Sequence, residues 1–252
     1  MAFGPDTISM THDARTCKWS PNFRLPLLDS PAMNARVERL LHKLARKRLR
    51  NVNFSIISNN CWGAHVYQAL RLEFTTPFIG LFLSPQSYLR LLADFPRSLS
   101  QPLNFKEVSD EPWVNQLRET SENPWPIGQL GNGIEIQFMH YKSATEAGEK
   151  WNRRLARLVT NPERLFVKFC DRDGCSPEQL AQFDALPFRN KIFFTARQDC
   201  PNRHAVKIPW QESRVPDGRI LSQISPAYFD SIDWINGKSG RTGRFWKWLS
   251  CV

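Results

Sequence analysis

The stretch Ser58-Asn59-Asn60-Cys61-Trp62-Gly63 puts two carboxamides, a thiol and an indole at one joint, between an apolar β-rich segment and a helical pattern. An Asn there can cap the helix by accepting a backbone N–H, which accounts for one amide and leaves the rest. A thiol in the first helical turn sees unpaired N–H groups and the positive end of the helix dipole, and both favour the thiolate. Read chemically, Cys61 is a nucleophile for acyl transfer, His140 its general base, and Asp171 the carboxylate that orients the imidazole. Asn59, Asn60 and the free N–H groups of the turn then hold a developing oxyanion or a sugar hydroxyl.

Trp62, Ser84, Tyr141, Asp173 and Arg197 complete the expected substrate-binding set, with Arg197 as a clamp for phosphate or carboxylate. Each assignment has a plainer counterpart. A free Cys is commonly a small buried hydrophobe, a His a structural one, and Asp171 and Asp173 ahead of Gly174 make a tight turn. Cysteine and histidine spacings suit no zinc site, and "GQLGNG" at 128–133 lacks the strand before and helix after it that a dinucleotide fingerprint requires.

The elements that must position these residues follow from periodicity. Apolar β-rich runs at 52–57, 77–84, 134–141, 164–169, 191–196 and 204–210 read as strands. Helical patterns follow at 62–72, at 85–95 with Pro85 in the first helical position, at 143–160 behind a Ser143-to-Glu146 capping box, and at 176–186 behind a Ser-Pro-Glu start. Strands alternating with helices predict an α/β fold, a mostly parallel sheet covered by helices on both faces. An N-terminal amphipathic helix is expected at 31–50. The pattern lapses between 95 and 131, a Pro- and Trp-rich excursion. The expected organisation is an irregular segment 1–30, a single α/β domain 31–235 and a basic-aromatic tail 236–252. In open α/β sheets ligands bind beyond the carboxyl ends of the strands. The groups above cluster just after predicted strands, so a parallel sheet would bring them to one rim.

Composition limits the function. The chain has 252 residues, 41% hydrophobic and 12% aromatic, with nine Trp and 17 Phe, enough for a substantial core. No run of 18 apolar residues spans a bilayer, and the N-terminus lacks a secretory layout, so a cytoplasmic setting is expected. The six Cys, with no CxxC pair, read as reduced thiols. The net charge of +10 is concentrated in the stretch 36–50, which begins at Arg36 and ends at Arg50, and in a tail where cations alternate with Phe245, Trp246 and Trp248. Both suit an anionic membrane surface; a solvated helix face is the bland alternative. No recognised nucleic-acid motif is present, and specific nucleic-acid binding is not expected.

The segments "FSIISNNCWGAHVYQAL", "TPFIGLFLSPQSYLRLL", "WPIGQLGNGIEIQFMHYKSATEAGEKWNRRLARL" and "LFVKFCDRDGCSPEQLAQFDALPFRNKIFFTA" strongly resemble the bacterial family called domain of unknown function 1919, over about residues 40–235. Its members are usually labelled exopolysaccharide or capsule biosynthesis proteins. The resemblance implies an α/β fold and a place in surface-polysaccharide assembly, and it assigns no catalytic residues. By analogy alone, some polysaccharide O-acetyltransferases are similar in placing an Asn-Cys pair at a strand-to-helix turn.

The expected function is therefore an acyl (acetyl) transferase acting on a saccharide or lipid-linked saccharide, with acyl-CoA as a candidate donor. It would be cytoplasmic and peripheral at the inner face of the membrane. The alternatives are a glycosyl- or phosphosugar transferase without a covalent intermediate, where Asp171 and Asp173 hold a divalent metal or sugar hydroxyls, and a non-catalytic component of the assembly machinery.

Overall fold

The computed structural model describes residues 43–240. Four parallel strands, β1 (Ser55–Ser58), β5 (Leu165–Cys170), β6 (Asn190–Thr195) and β7 (Ala205–Lys207), form one sheet in the order β1-β5-β6-β7. Ser58 lies opposite Lys168, and Lys168 opposite Ile192. Side chains alternate across this sheet, as strand geometry requires. Ile57, Val167, Phe169 and Phe193 enter one apolar cluster, while Ile56, Phe166, Cys170, Ile192 and Phe194 enter another.

Each face is covered. On the second lie α1 (Trp62–Ala69), α6 (Gly218–Ile224) and α7 (Ser231–Ile235) through Trp62, Leu221 and Trp234. On the first lie α2 (Pro85–Ala93), α4 (Ala144–Leu155) and α5 (Pro177–Ala185) through Leu91, Trp151 and Phe183. The expected α/β architecture with a mostly parallel, doubly covered sheet is thus observed. Of the stretch 31–50 expected to be an amphipathic helix, residues 43–48 are helical and 49–50 are not, and Arg48 pairs with Asp230 and Asp233 at the start of α7. Residues 31–42, the segment 1–30 and the tail from 241 lie outside the described residues.

Two expected strands behave differently. The run 77–84 is buried nearly throughout but irregular: Gly80 has φ +69, and only Phe82 forms a bridge, to Gln137. Apolar periodicity cannot distinguish a buried strand from a buried extended loop. The run 134–141 is a strand only over β4 (Ile134–Gln137), which pairs antiparallel with β3 (Ile127–Leu130). The turn between them carries Gly133 at φ +68, a left-handed position that suits glycine. With β2 (Asn104–Lys106) these make a separate three-stranded sheet, and α3 (Pro112–Glu119) also falls in the excursion.

The helix starts are largely as expected. Ser84 caps α2 with Pro85 at its first position, and Ser176 forms a full capping box with Gln179. At α4 only half of the box forms. Ser143 accepts from the Glu146 N–H, but the Glu146 carboxylate accepts from Lys142 N instead.

Candidate functional site

The chain leaves β1 for α1 on one face of the sheet and leaves the adjacent β5 for α5 on the other. Neighbouring strands whose connections diverge in this way open a crevice at their carboxyl ends. Its two lips, Asn59–Cys61 and Asp171–Gly174, are bridged by the 215–218 segment, whose Val215 N bonds Asp171 and whose Gly218 packs on the Cys61–Trp62 turn.

At its floor lies Lys168, fully buried on the α1 side of β5. An ammonium there must find acceptors, and it finds both amides. Lys168 Nζ donates to Asn60 Oδ1 at 2.8 Å and to Asn59 Oδ1 at 3.1 Å. Each Asn turns its Nδ2 to Cys170 Sγ, at 3.4 and 3.5 Å, and Asn60 Oδ1 also accepts from Trp62 N at 3.2 Å. The amides expected to face a substrate are therefore engaged from within, as a cradle for a buried cation. Burial pushes the Lys168 pKa down. Gly218 packs against the same turn so closely that a Cβ there would lie 2.9 Å from Trp62 N and 3.0 Å from Cys61 N.

Cys61 stands above this cradle, partly exposed, its thiol donating to the Leu81 carbonyl at 3.9 Å. Burial pushes the thiol up to about 11, against the pull of Lys168 and with the push of Asp217. The helix N-terminus does not make it a resting thiolate, because desolvation of the charged form outweighs the dipole. One turn along α1, at the i+4 position, sits His65. Burial lowers the pKa of its imidazole, with the neighbouring charges of Arg219 and His140 acting the same way, while Gln68 and Asp217 oppose them. Asp217, the N-cap of α6, thus acts on both Cys61 and His65.

The other expected residues are placed as follows. The Asp171 carboxylate does not orient His140. Both its oxygens are taken, by Thr195 Oγ1 (2.7 Å), Ala196 N (2.8 Å) and Val215 N (2.8 Å), which ties β5 to β6 and to the chain entering α6. His140 is exposed in the turn after β4, its N–H bonded to the Gly80 carbonyl. Tyr141 is buried beside it, donating to the Ile79 carbonyl. Ser84 accepts from Ser87 N as a cap, and Trp62 donates from Nε1 to Ser225 Oγ at 2.9 Å while packing on Phe194 and Trp234. Arg197 reaches the Cys175 carbonyl. Asp173 has φ +61, a left-handed conformation that a non-glycine residue rarely adopts. Its carboxyl is raised by burial, with Arg172, Lys168 and Arg214 opposing and Glu111 reinforcing.

Of the expected set the crevice thus gathers Asn59, Asn60, Cys61 and Asp173. His140 and Tyr141 border it through the 79–81 loop. His65, Lys168 and Asp217 were missed. A lysine inside the apolar run "RLFVKF" and a His four residues after Cys61 were signals in the sequence; nothing in it linked Asp217 to either. Among the described residues, Cys61, Cys170, Cys175 and Cys200 are free thiols, and no three His, Cys, Asp or Glu side chains group as metal ligands.

Sheet order, crevice and buried polar floor define an α/β protein whose chemical groups collect at the point where strand connections diverge. The chain belongs to the family described as Domain of unknown function (DUF1919), whose profile matches residues 32–236. It is also similar to an uncharacterized protein of Haemophilus influenzae (strain Rd), 33% identical over 207 residues, which cover 81% of this chain and 93% of that relative.

Proposed function

We propose that this protein is a transferase of surface-polysaccharide assembly, acting by acyl transfer at the crevice. The single observation that carries the reading is the Cys61 thiol on a turn locked by Lys168, with a neutral His65 one turn on and Asp217 acting on both. A thiol held protonated needs a base during attack. His65 takes the Sγ proton as Sγ adds to the donor thioester carbonyl. Collapse expels the donor thiolate, which leaves with that proton, and a thioester remains on Cys61. A saccharide hydroxyl then attacks this thioester, its proton passing through His65 to Cys61. His65 replaces His140 as the base because it shares the helix of Cys61. The exopolysaccharide or capsule label that the sequence resemblance implies favours a saccharide acceptor, and cations at 43–50 suit work beside anionic lipid on the cytoplasmic side. Among the described residues no helix is long and apolar enough to cross a membrane.

The test is covalent. Incubated with p-nitrophenyl acetate, the protein should gain one acetyl group mapped to Cys61, none in Cys61→Ala, and acetylation roughly 100-fold slower in His65→Gln. Label on other residues, or ester turnover unchanged in Cys61→Ala, overturns the reading.

Asp173 supports a second reading. A mostly buried carboxylate in left-handed backbone, between Lys168, Arg172 and Arg214, suits a base for direct glycosyl or phosphosugar transfer. In that case Cys61→Ala stays active and Asp173→Asn does not.

A further inference from the structure

Arg48 and Asn236, 188 residues apart in sequence, meet at one corner of the fold. Asn236 donates from Nδ2 to the Arg48 carbonyl at 2.9 Å, and its Oδ1 accepts from Arg50 N at 2.8 Å and Asn51 N at 3.3 Å. Asn51 answers by donating from Nδ2 to the Ile235 carbonyl at 3.2 Å. Asp230, which pairs with Arg48, donates its N–H to the Gly240 carbonyl at 2.7 Å. Gly240 has φ +67, and a Cβ there would lie 2.5 Å from the Phe229 ring and 3.0 Å from Trp234 Cβ. Only glycine suits that position, so the point from which the chain runs on to residue 241 is fixed. The basic stretch at 43–50 and the basic-aromatic tail thus start from the same place, a juxtaposition that the sequence does not show.

The charge at this corner has one sign. No acid occurs in residues 43–53 or after Asp233. The two acids of this corner are engaged, Asp230 by Arg48 and Asp233 by Arg48 and Lys238. Lys43, Arg46, Lys47 and Arg50 are exposed, and none forms an ion pair among the described residues. Ala45 and Leu49 pack on the domain, so helical spacing turns Lys43 and Lys47 outward with Leu44 and Arg46 on their flanks. The tail adds Arg241, Arg244 and Lys247 among Phe245, Trp246 and Trp248. The corner is also apolar where it is most exposed: Leu44 is 50% and Val52 54% accessible, two of the four large hydrophobic side chains that stand out among the described residues.

Cations alone would serve a nucleic acid or an acidic protein. Cations mixed with exposed aliphatic side chains and indoles match a bilayer interface, where phosphate charge lies above acyl carbon. We infer that the two segments form one surface that docks on an anionic phospholipid membrane, the cations on the headgroups and Leu44, Val52 and the tail's aromatic residues supplying the apolar contact. The inference rests on the proposed function only for the cytoplasmic leaflet.

The experiment is cosedimentation of the full chain with vesicles of phosphatidylcholine alone and of phosphatidylcholine mixed with phosphatidylglycerol. The mixed vesicles should bind at least roughly tenfold more tightly. A basic residue beside an anionic leaflet contributes about fivefold, so Arg46→Glu/Lys47→Glu and, separately, Arg241→Glu/Arg244→Glu should each weaken binding roughly 25-fold or more. Leu44→Ser and Trp246→Ser/Trp248→Ser should each weaken it roughly three- to tenfold while its salt dependence stays as in the wild type. Arg153→Glu, exposed on α4 over the other face of the sheet, should change it by less than about twofold. Equal binding to both vesicle types, or none, overturns the inference. So does indifference to either charge-reversed pair, which would leave a single segment at the lipid. Tighter binding to polyuridylic acid than to the mixed vesicles, unaffected by Leu44→Ser, overturns it in favour of RNA.

Vesicle binding is read without turnover, so this inference and the acetylation of Cys61 fail separately.

Discussion

The cradle under Cys61 predicts a specific energetic coupling. In Asn60→Ala the Lys168 ammonium loses its 2.8 Å acceptor and the Trp62 N–H loses its cap. Removing one acceptor of a buried ammonium that keeps Asn59 Oδ1 costs about 1.5–3 kcal/mol and the lost cap about 1 kcal/mol, and at about 2–4 °C per kcal/mol for a domain of this size Tm should fall by about 5–16 °C. Lys168→Met leaves Asn59 Oδ1 without its ammonium donor, at about 1–3 kcal/mol, while Asn60 Oδ1 keeps the Trp62 N–H, and it removes the desolvation of the ammonium. Its net cost should be about 0–2 kcal/mol, less than that of Asn60→Ala. In the Lys168→Met background no buried cation remains to be stranded, so Asn60→Ala should cost only the lost cap, about 1 kcal/mol. The cycle therefore closes with a coupling of about 1.5–3 kcal/mol. Urea denaturation of the four proteins followed by tryptophan fluorescence measures it, with m-values checked for constancy. A coupling within about 0.5 kcal/mol of zero, the scatter for independent sites, refutes the claim that the amides exist to hold Lys168.

Further outcomes follow from the same geometry. Alkylation of Cys61 by iodoacetamide should be slow at neutral pH and rise with an apparent pKa of about 11, read by peptide mass spectrometry; rapid labelling at pH 7 contradicts the burial argument. Asp173→Asn should stabilise the protein at neutral pH. The folded carboxyl is raised by burial, so the wild type is penalised as pH climbs above the ordinary Asp value of about 3.9, and the Asn variant is not. The gain should shrink below pH 4; a gain that persists there would assign it to backbone alone. Gly218→Ala should cost about 1–3 kcal/mol, because its Cβ meets the backbone nitrogens of Cys61 and Trp62 rather than flexible side-chain ends; an unchanged denaturation midpoint would show that the α1–α6 contact yields freely.

The sequence by itself determined the alternation of strands and helices, because period-2 and period-3.6 patterns are local and the Ser-Pro starts of α2 and α5 are written in a few consecutive residues. It also marked the β1–α1 turn as unusual, and Cys61 does stand at the crevice. What it could not decide was pairing. The apolar run at 77–84 carries the composition of a strand, yet Gly80 and burial on all sides leave it as a loop; the run at 134–141 joined another sheet because its hairpin partner lay closer than the parallel strands. Partnership of buried polar groups was likewise out of reach. Asp171 looked like an orienter and became a clamp on Thr195, Ala196 and Val215. Asn59 and Asn60 looked like ligand contacts and became the acceptors for Lys168, more than 100 residues away. A desolvated charge takes whatever partner the fold brings within 3 Å, and spacing along the chain carries no record of that distance.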